Sequence, residues 1–264
     1  MSAQLHVAKI GGNIIDDPQK LEAFLKDFAQ ADGLKILVHG GGKKATDFAK
    51  QLKLPQQLVQ GRRVTDAETL KLVTMVYGGL LNKSIVAALI AKGVEAIGVS
   101  GADANLVQSK KRAVQPVDYG FVGDPEQVNV KRLIDFLNLK LTPVFCALTH
   151  DGKGQLLNTN ADTLAAEIAI AMCGHYKVKL YFCFEKSGVL RDIEDPHSAI
   201  QTLNKADFEF LQKSDKIYAG MLPKLSNAFR AAEQGVEQVQ VLSAEDLWNQ
   251  LTTSKNYGTR IISA

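Results

Sequence analysis

The chain has 264 residues, 46% hydrophobic and 22% charged, with a formal net charge of +3 at pH 7. That length suits one large α/β domain or two joined lobes with an ample core. So small a charge, spread over short clusters such as Arg62-Arg63 and Lys110-Lys111-Arg112, leaves no footprint for a nucleic-acid partner. No uninterrupted apolar run approaches the ~20 residues of a membrane span, and no apolar signal-like stretch precedes the first strand. Cys146, Cys173 and Cys183 sit in apolar runs without metal-ligand spacing and read as buried free thiols. The expected setting is the reducing cytoplasm, with no membrane partner.

Strand-like and helix-like segments alternate, the pattern of a largely parallel sheet with helices on both faces. The first strand ends in Val7-Ala8-Lys9-Ile10 and runs into Gly11-Gly12. Asp17-Pro18 then reads as the N-cap and first position of a helix to about residue 30. A strand at 35–38 leads through His39 into Gly40-Gly41-Gly42 and a helix over 43–52. Thr65-Asp66-Ala67-Glu68 has the form of a capping box opening a helix toward Val76. Gly78-Gly79 is expected to break it before a second helix over 80–91.

A buried strand follows at 96–99. Between Gly101 and Gly123 the helical period disappears, and the runs 105–107 and 113–117 suggest hairpins over the sheet edge. A helix at 131–137, a strand at 141–148, a tight turn at Asp151-Gly152 and a long helix at 163–172, capped by Asn160-Ala161-Asp162, come next. Strand 179–184, helices 205–211 and 222–233, strand 238–242 and helix 244–251 form a second set, and 258–262 reads as an edge strand. The expected architecture is a three-layer αβα sandwich with a central, mostly parallel open sheet.

Two strand–glycine–helix turns within 42 residues point to chemistry with two anions, because backbone N–H groups at such turns face an anion at the helix start. Gly40 to Ala45 satisfies G-x-G-x-x-A, a weak dinucleotide pattern. The acidic residue expected about 20 positions on is absent, since that stretch reads Gln60-Gly61-Arg62-Arg63. There is no Walker-type G-x-x-x-x-G-K-[ST] and no G-x-S-x-G nucleophile elbow. Phosphoryl transfer fits what is left.

Five motifs occur in one order: Lys9-Ile10-Gly11-Gly12, His39-Gly40-Gly41-Gly42, Gly61-Arg62-Arg63-Val64-Thr65, Asn158-Thr159-Asn160-Ala161-Asp162 and Gly220-Met221-Leu222-Pro223-Lys224. Together with Gly98 to Asp103 and Asp118 to Gly123, they resemble the amino-acid kinase family over nearly the whole chain, and within it the branch that phosphorylates acylated glutamate. The resemblance implies a single kinase domain over 1–264, with an acceptor-binding lobe at 1–174 and a nucleotide-binding lobe at 175–264.

It implies ATP-dependent phosphorylation of the side-chain carboxylate of N-acetyl-L-glutamate in arginine biosynthesis, with Mg2+ carried by the nucleotide and no metal site of the protein's own. N-succinyl-L-glutamate, another acceptor on the same fold, and a non-catalytic nucleotide sensor are the alternatives. By the same resemblance Lys9 stabilises charge on the transferring group, Lys224 acts on the leaving side, and Asp162 orients the two. Gly11 and Gly12, with Glu185, Lys186, Ser187 and Gly188, contact the nucleotide, Glu185 standing where relatives usually carry aspartate. Gly41, Gly42, Arg63, Asn158 and Asn160 bind the acceptor, although a cap would by itself explain Asn160, and packing His39. A homodimer insensitive to arginine is the implied assembly.

Overall fold

The computed structural model describes residues 3–59, 61–192, 194–195, 198–213 and 221–263; Gly220 of the fifth motif lies outside them. The chain divides into two compact units, Met1–Lys35 with Ala165–Ala264, and Ile36–Leu164. Compactness therefore does not follow a single cut near residue 174. The reason is strand pairing: Gln4–Ile10 runs parallel to Lys177–Phe184 along its whole length, from Gln4 opposite Lys177 to Ile10 opposite Cys183.

In the first unit Lys177–Phe184 pairs in parallel with Gln238–Ser243, whose other neighbour is the antiparallel strand Thr259–Ile261. The C-terminal strand, expected at an edge, is covered in turn by Thr202–Leu203. Leu5, Val7, Ile10, Leu180 and Phe182 have no exposed surface. Such continuous apolar runs belong to parallel strands covered on both faces. Asp17 caps the helix Pro18–Gln30 as expected, its carboxylate accepting from the N–H groups of Gln19 and Lys20 at 3.0 and 3.2 Å.

In the second unit Leu34–His39 and Ala96–Val99 flank Thr142–Cys146, both in parallel. The strand expected at 141–148 divides at Ala147, and Leu148–His150 belongs to a separate four-stranded sheet with Leu156–Asn158, Val107–Lys111 and Gly123–Val128. The hairpin strands are thus 107–111 and 123–128, and residues 113–117 only connect them.

Gly78-Gly79 does not break the helix either. Ala67–Ile90 runs through, with a π-helical stretch over Thr74–Leu81 that absorbs the glycines. Asp66 caps it by accepting from Thr69 N–H at 2.7 Å, which leaves Thr65 to bond elsewhere. By length and composition this helix is apolar enough to cross a membrane, although Lys71 and Lys83 interrupt its apolar run. Its Leu72, Val73, Ile85 and Leu89 are buried in the unit's core.

Each unit buries a histidine, His6 beside Tyr181 (Nδ1 to Oη 3.3 Å) and His39 with no exposed surface. Burial pushes both down from 6.5 to about 4, with Lys179 and Lys35 adding to the effect at His6. Between those values the unfolded chain holds the protons that the folded chain lacks, so stability falls as pH drops through that window. Each histidine accounts for on the order of 3 kcal/mol at the acid end. The urea midpoint should drop clearly between pH 7 and pH 4.5; an unchanged midpoint would contradict this account.

Candidate active site

The first unit holds the two lysines. Lys9 is the penultimate residue of a fully paired strand and is 7% exposed. Gly11 extends that pairing through its N–H to the Cys183 carbonyl at 3.2 Å, and Gly12 opens the short helix Gly12–Ile15. A Cβ on Gly11 would meet nothing closer than 3.8 Å, so packing within the chain does not by itself demand glycine there.

Lys224, also 7% exposed, sits in the first turn of Leu222–Glu233, with Nζ 5.7 and 5.5 Å from the ring centres of Phe182 and Phe184. A cation at that end opposes the helix dipole, so the helix supplies no reason for it. Both ammonium groups act on Cys183, whose thiol burial nevertheless pushes up to about 12. The two lysines therefore share one electrostatic neighbourhood at the C-terminal end of Lys177–Phe184.

Beyond that end Glu185 and Lys186 stand in solvent, Ser187 is half-buried and Gly188 is buried. The loop's base is fixed: Val189 N–H donates to Thr259 Oγ1 at 2.8 Å, and a Cβ on Gly188, whose φ is +151°, would come within 2.7 Å of that oxygen. Thr259 was not singled out from the sequence.

In the second unit a side chain at Gly41 would run into Leu81 and approach Tyr77 Cδ1 to 2.8 Å. The π-helical stretch brings Tyr77 and Leu81 onto the turn, and π segments recur at functional sites. The Tyr77 hydroxyl titrates above its usual range because it is buried, although the Arg63 cation pulls the other way. Arg63, 8% exposed, donates through Nη2 to the Gly42 carbonyl at 2.7 Å and to Thr46 Oγ1 at 2.8 Å, and through Nη1 to Gln56 Oε1. Its planar fork is thereby held against the start of Gly42–Gln51.

Thr65 joins three of the sequence motifs. Its N–H donates to the Tyr119 carbonyl at 2.9 Å, its own carbonyl accepts from Phe121 N–H at 2.7 Å, and its Oγ1 accepts from Asn158 Nδ2 at 3.0 Å. A Cβ on Gly120, whose φ is +71°, would collide with the Thr65 carbonyl, so glycine is required there. Asn158 is thus fixed beside 61–65 and 118–123. Asn160 caps Ala161–Met172, its Oδ1 accepting from Thr163 N–H at 2.9 Å. Asp162 stands in that helix's first turn, where a carboxylate suits the dipole.

The basic run 110–112 is largely committed: Arg112 Nε donates to both Asp124 oxygens at 3.1 Å, its guanidinium lies over Tyr119, and Lys111 lies over Phe121. Tyr77, Thr46 and Gln56 were not singled out from the sequence. No motif spacing marks them; only the fold brings them to Gly41, Gly42 and Arg63. Among the described residues no three His, Cys, Asp or Glu side chains gather as a metal site.

The model of the amino acid kinase family matches residues 4–243. The chain belongs to that family. It is 52% identical over 261 residues to the acetylglutamate kinase of Cytophaga hutchinsonii, covering 98% of this chain and 99% of that one. To the acetylglutamate kinase of Bacteroides thetaiotaomicron it is 49% identical over 261 residues, covering 99% of each. Among solved structures, a Giardia carbamate kinase superposes with a TM-score of 0.70 at 13% identity, covering 100% of this chain and 99% of that one. At that identity the likeness speaks to the fold alone. The α/β architecture with a mostly parallel sheet is that of the amino acid kinases, and membership implies ATP as phosphoryl donor.

Proposed function

We propose that this amino acid kinase transfers the γ-phosphoryl group of ATP to the side-chain carboxylate of N-acetyl-L-glutamate, giving the acyl 5-phosphate and ADP, in arginine biosynthesis. The observation that carries the reading is the pair of buried lysines, Lys9 and Lys224, in one neighbourhood of a chain half identical to acetylglutamate kinases along its length. Both reactants are anionic, and two unit charges ~4 Å apart repel by on the order of 4 kcal/mol at an effective dielectric near 20. A carboxylate is already a nucleophile at neutral pH, so no general base is needed. Positioning and positive charge supply the catalysis.

In this reading Lys9 neutralises charge on the transferring group, Lys224 acts on the leaving side, and Asp162 orients the two. Gly11, Gly12 and the segment Glu185, Lys186, Ser187, Gly188 receive the nucleotide. Gly41 and Gly42 offer N–H groups, Arg63 clamps the acceptor's α-carboxylate, and Asn158 and Asn160 border its amide. The acceptor is held by residues before about 174 and most of the nucleotide by residues after it, with Gly11 and Gly12 of the first glycine turn reaching the nucleotide phosphates. Mg2+ enters on the nucleotide phosphates, as it commonly does where phosphates supply most of its ligands. The protein works in the cytoplasm as a homodimer, a state favoured by the exposed Met75, Leu80 and Ile90 on Ala67–Ile90.

Acetyl is favoured over succinyl as the acyl group because a succinyl carboxylate needs a cation when buried, and Arg112 is already paired with Asp124. The kcat/KM for N-acetyl-L-glutamate should exceed that for N-succinyl-L-glutamate. A tenfold preference for the succinyl compound would reject the acyl choice and leave the phosphotransfer intact.

A further inference from the structure

The second unit places a buried histidine at the head of the glycine turn, and the phosphotransfer reading makes no use of it. His39 ends the strand Leu34–His39 and has no exposed surface. Its Nδ1 lies 2.8 Å from the Gly40 carbonyl oxygen, and Asn82 Nδ2 lies 3.1 Å from its Nε2. The Asn82 amide is itself oriented: Nδ2 also donates to the Val144 carbonyl at 2.8 Å, and Oδ1 accepts from Lys83 Nζ at 3.2 Å. A side chain on Gly98 would collide with that oxygen, so Gly98 makes room for the amide. A carbonyl only accepts and an NH2 only donates, which leaves one arrangement of the ring, proton on Nδ1 and lone pair on Nε2.

We propose that His39, held in this tautomer by Asn82, is a positioning residue that sets the direction of the Gly40–Gly41 peptide. In a planar trans peptide the C=O and the following N–H point opposite ways. Holding the Gly40 oxygen against the imidazole therefore turns the Gly41 N–H away from the ring, at the start of Gly42–Gln51, where backbone donors lack intrahelical partners. Glycines on both sides of this peptide leave it little intrinsic preference. Without the clamp it is free to rotate and turn an oxygen toward an incoming anion. Burial keeps the imidazole neutral through the working pH range, its pKa being pushed down to about 4.

The proposal rests on the assignment of Gly41 and Gly42 to anion contact, and three variants with one spectrum test it. His39→Leu fills the space without a donor. His39→Gln carries its amide one methylene too far. His39→Asn keeps an N–H donor the same number of bonds from the backbone as Nδ1. The first two should lower kcat for transfer from ATP to acetylglutamate about 100-fold, while the asparagine variant recovers to within about tenfold of the original. Thermal midpoints of the glutamine and asparagine variants should match, which separates positioning from lost stability.

Nitrogen-15 NMR of the ring should show a protonated Nδ1 and a bare Nε2. A proton on Nε2 instead, or an asparagine variant as slow as the glutamine one, would overturn the proposal. Should the leucine variant fail to fold, the glutamine and asparagine pair decides. If the original protein phosphorylates no acylglutamate, the functional reading fails and the ring tautomer alone judges the clamp.

Discussion

Lys9→Ala and Lys224→Ala are each expected to lower kcat by about 100- to 1,000-fold, the range for removing one preorganised charge-stabilising group. Both side chains are 7% exposed, and Cys183 registers both cations. The transferring group passes through a state whose charge is spread over its oxygens, and a buried ammonium acts on that charge with little screening. Lys224 sits where the helix dipole disfavours it, so its removal should not weaken the helix Leu222–Glu233. Single-turnover rates on variants with unchanged circular dichroism check this. A near-normal kcat in Lys9→Ala would remove it from the reaction.

Arg63→Ala should act on a different parameter. Hydrogen bonds to charged groups are worth about 1.5–3 kcal/mol, so KM for acetylglutamate should rise about 10- to 100-fold, with kcat changing far less. Arg63→Lys should not rescue it, because a point ammonium lacks the planar fork. Arg63 also bonds Gly42, Thr46 and Gln56, so the variant should lose thermal stability. Gln56→Ala separates the two effects, since it frees one arm of the guanidinium and keeps the charge. A kcat collapse in Arg63→Ala with KM unchanged would move the residue from acceptor binding to the chemical step.

What the sequence makes legible here is local. Asp17-Pro18 and the apolar runs 96–99 and 179–184 carry their structure in adjacent residues, and their elements form there, the last strand starting two residues earlier, at Lys177. The misreadings come from tertiary context. Gly78-Gly79 looks like a break, yet the surrounding core holds a continuous π-helical turn there. The run 141–148 looks like one strand, yet it changes sheets at Ala147. The C-terminal strand looks like an edge because nothing in the sequence announces its parallel partner Thr202–Leu203.

The candidate site divides in the same way. Lys9 and the glycine turns are marked by their place at strand ends. Tyr77 reaches Gly41 only because the π-helical stretch aims it there, and Thr259 reaches the 187–190 loop from 70 residues away. Thr65 lay inside a motif, but its part as the tie between 61–65, 118–123 and Asn158 needed the fold.

The most direct measurement is ADP release by the purified protein against a panel of acceptors, with hydroxylamine present to trap an acyl phosphate. Release should depend on acylated glutamate and be matched by an equal yield of hydroxamate, with no comparable rate for glutamate, aspartate, carbamate or UMP. Release independent of acceptor, or dependent on one of those other compounds while acylglutamates stay inert, would contradict it.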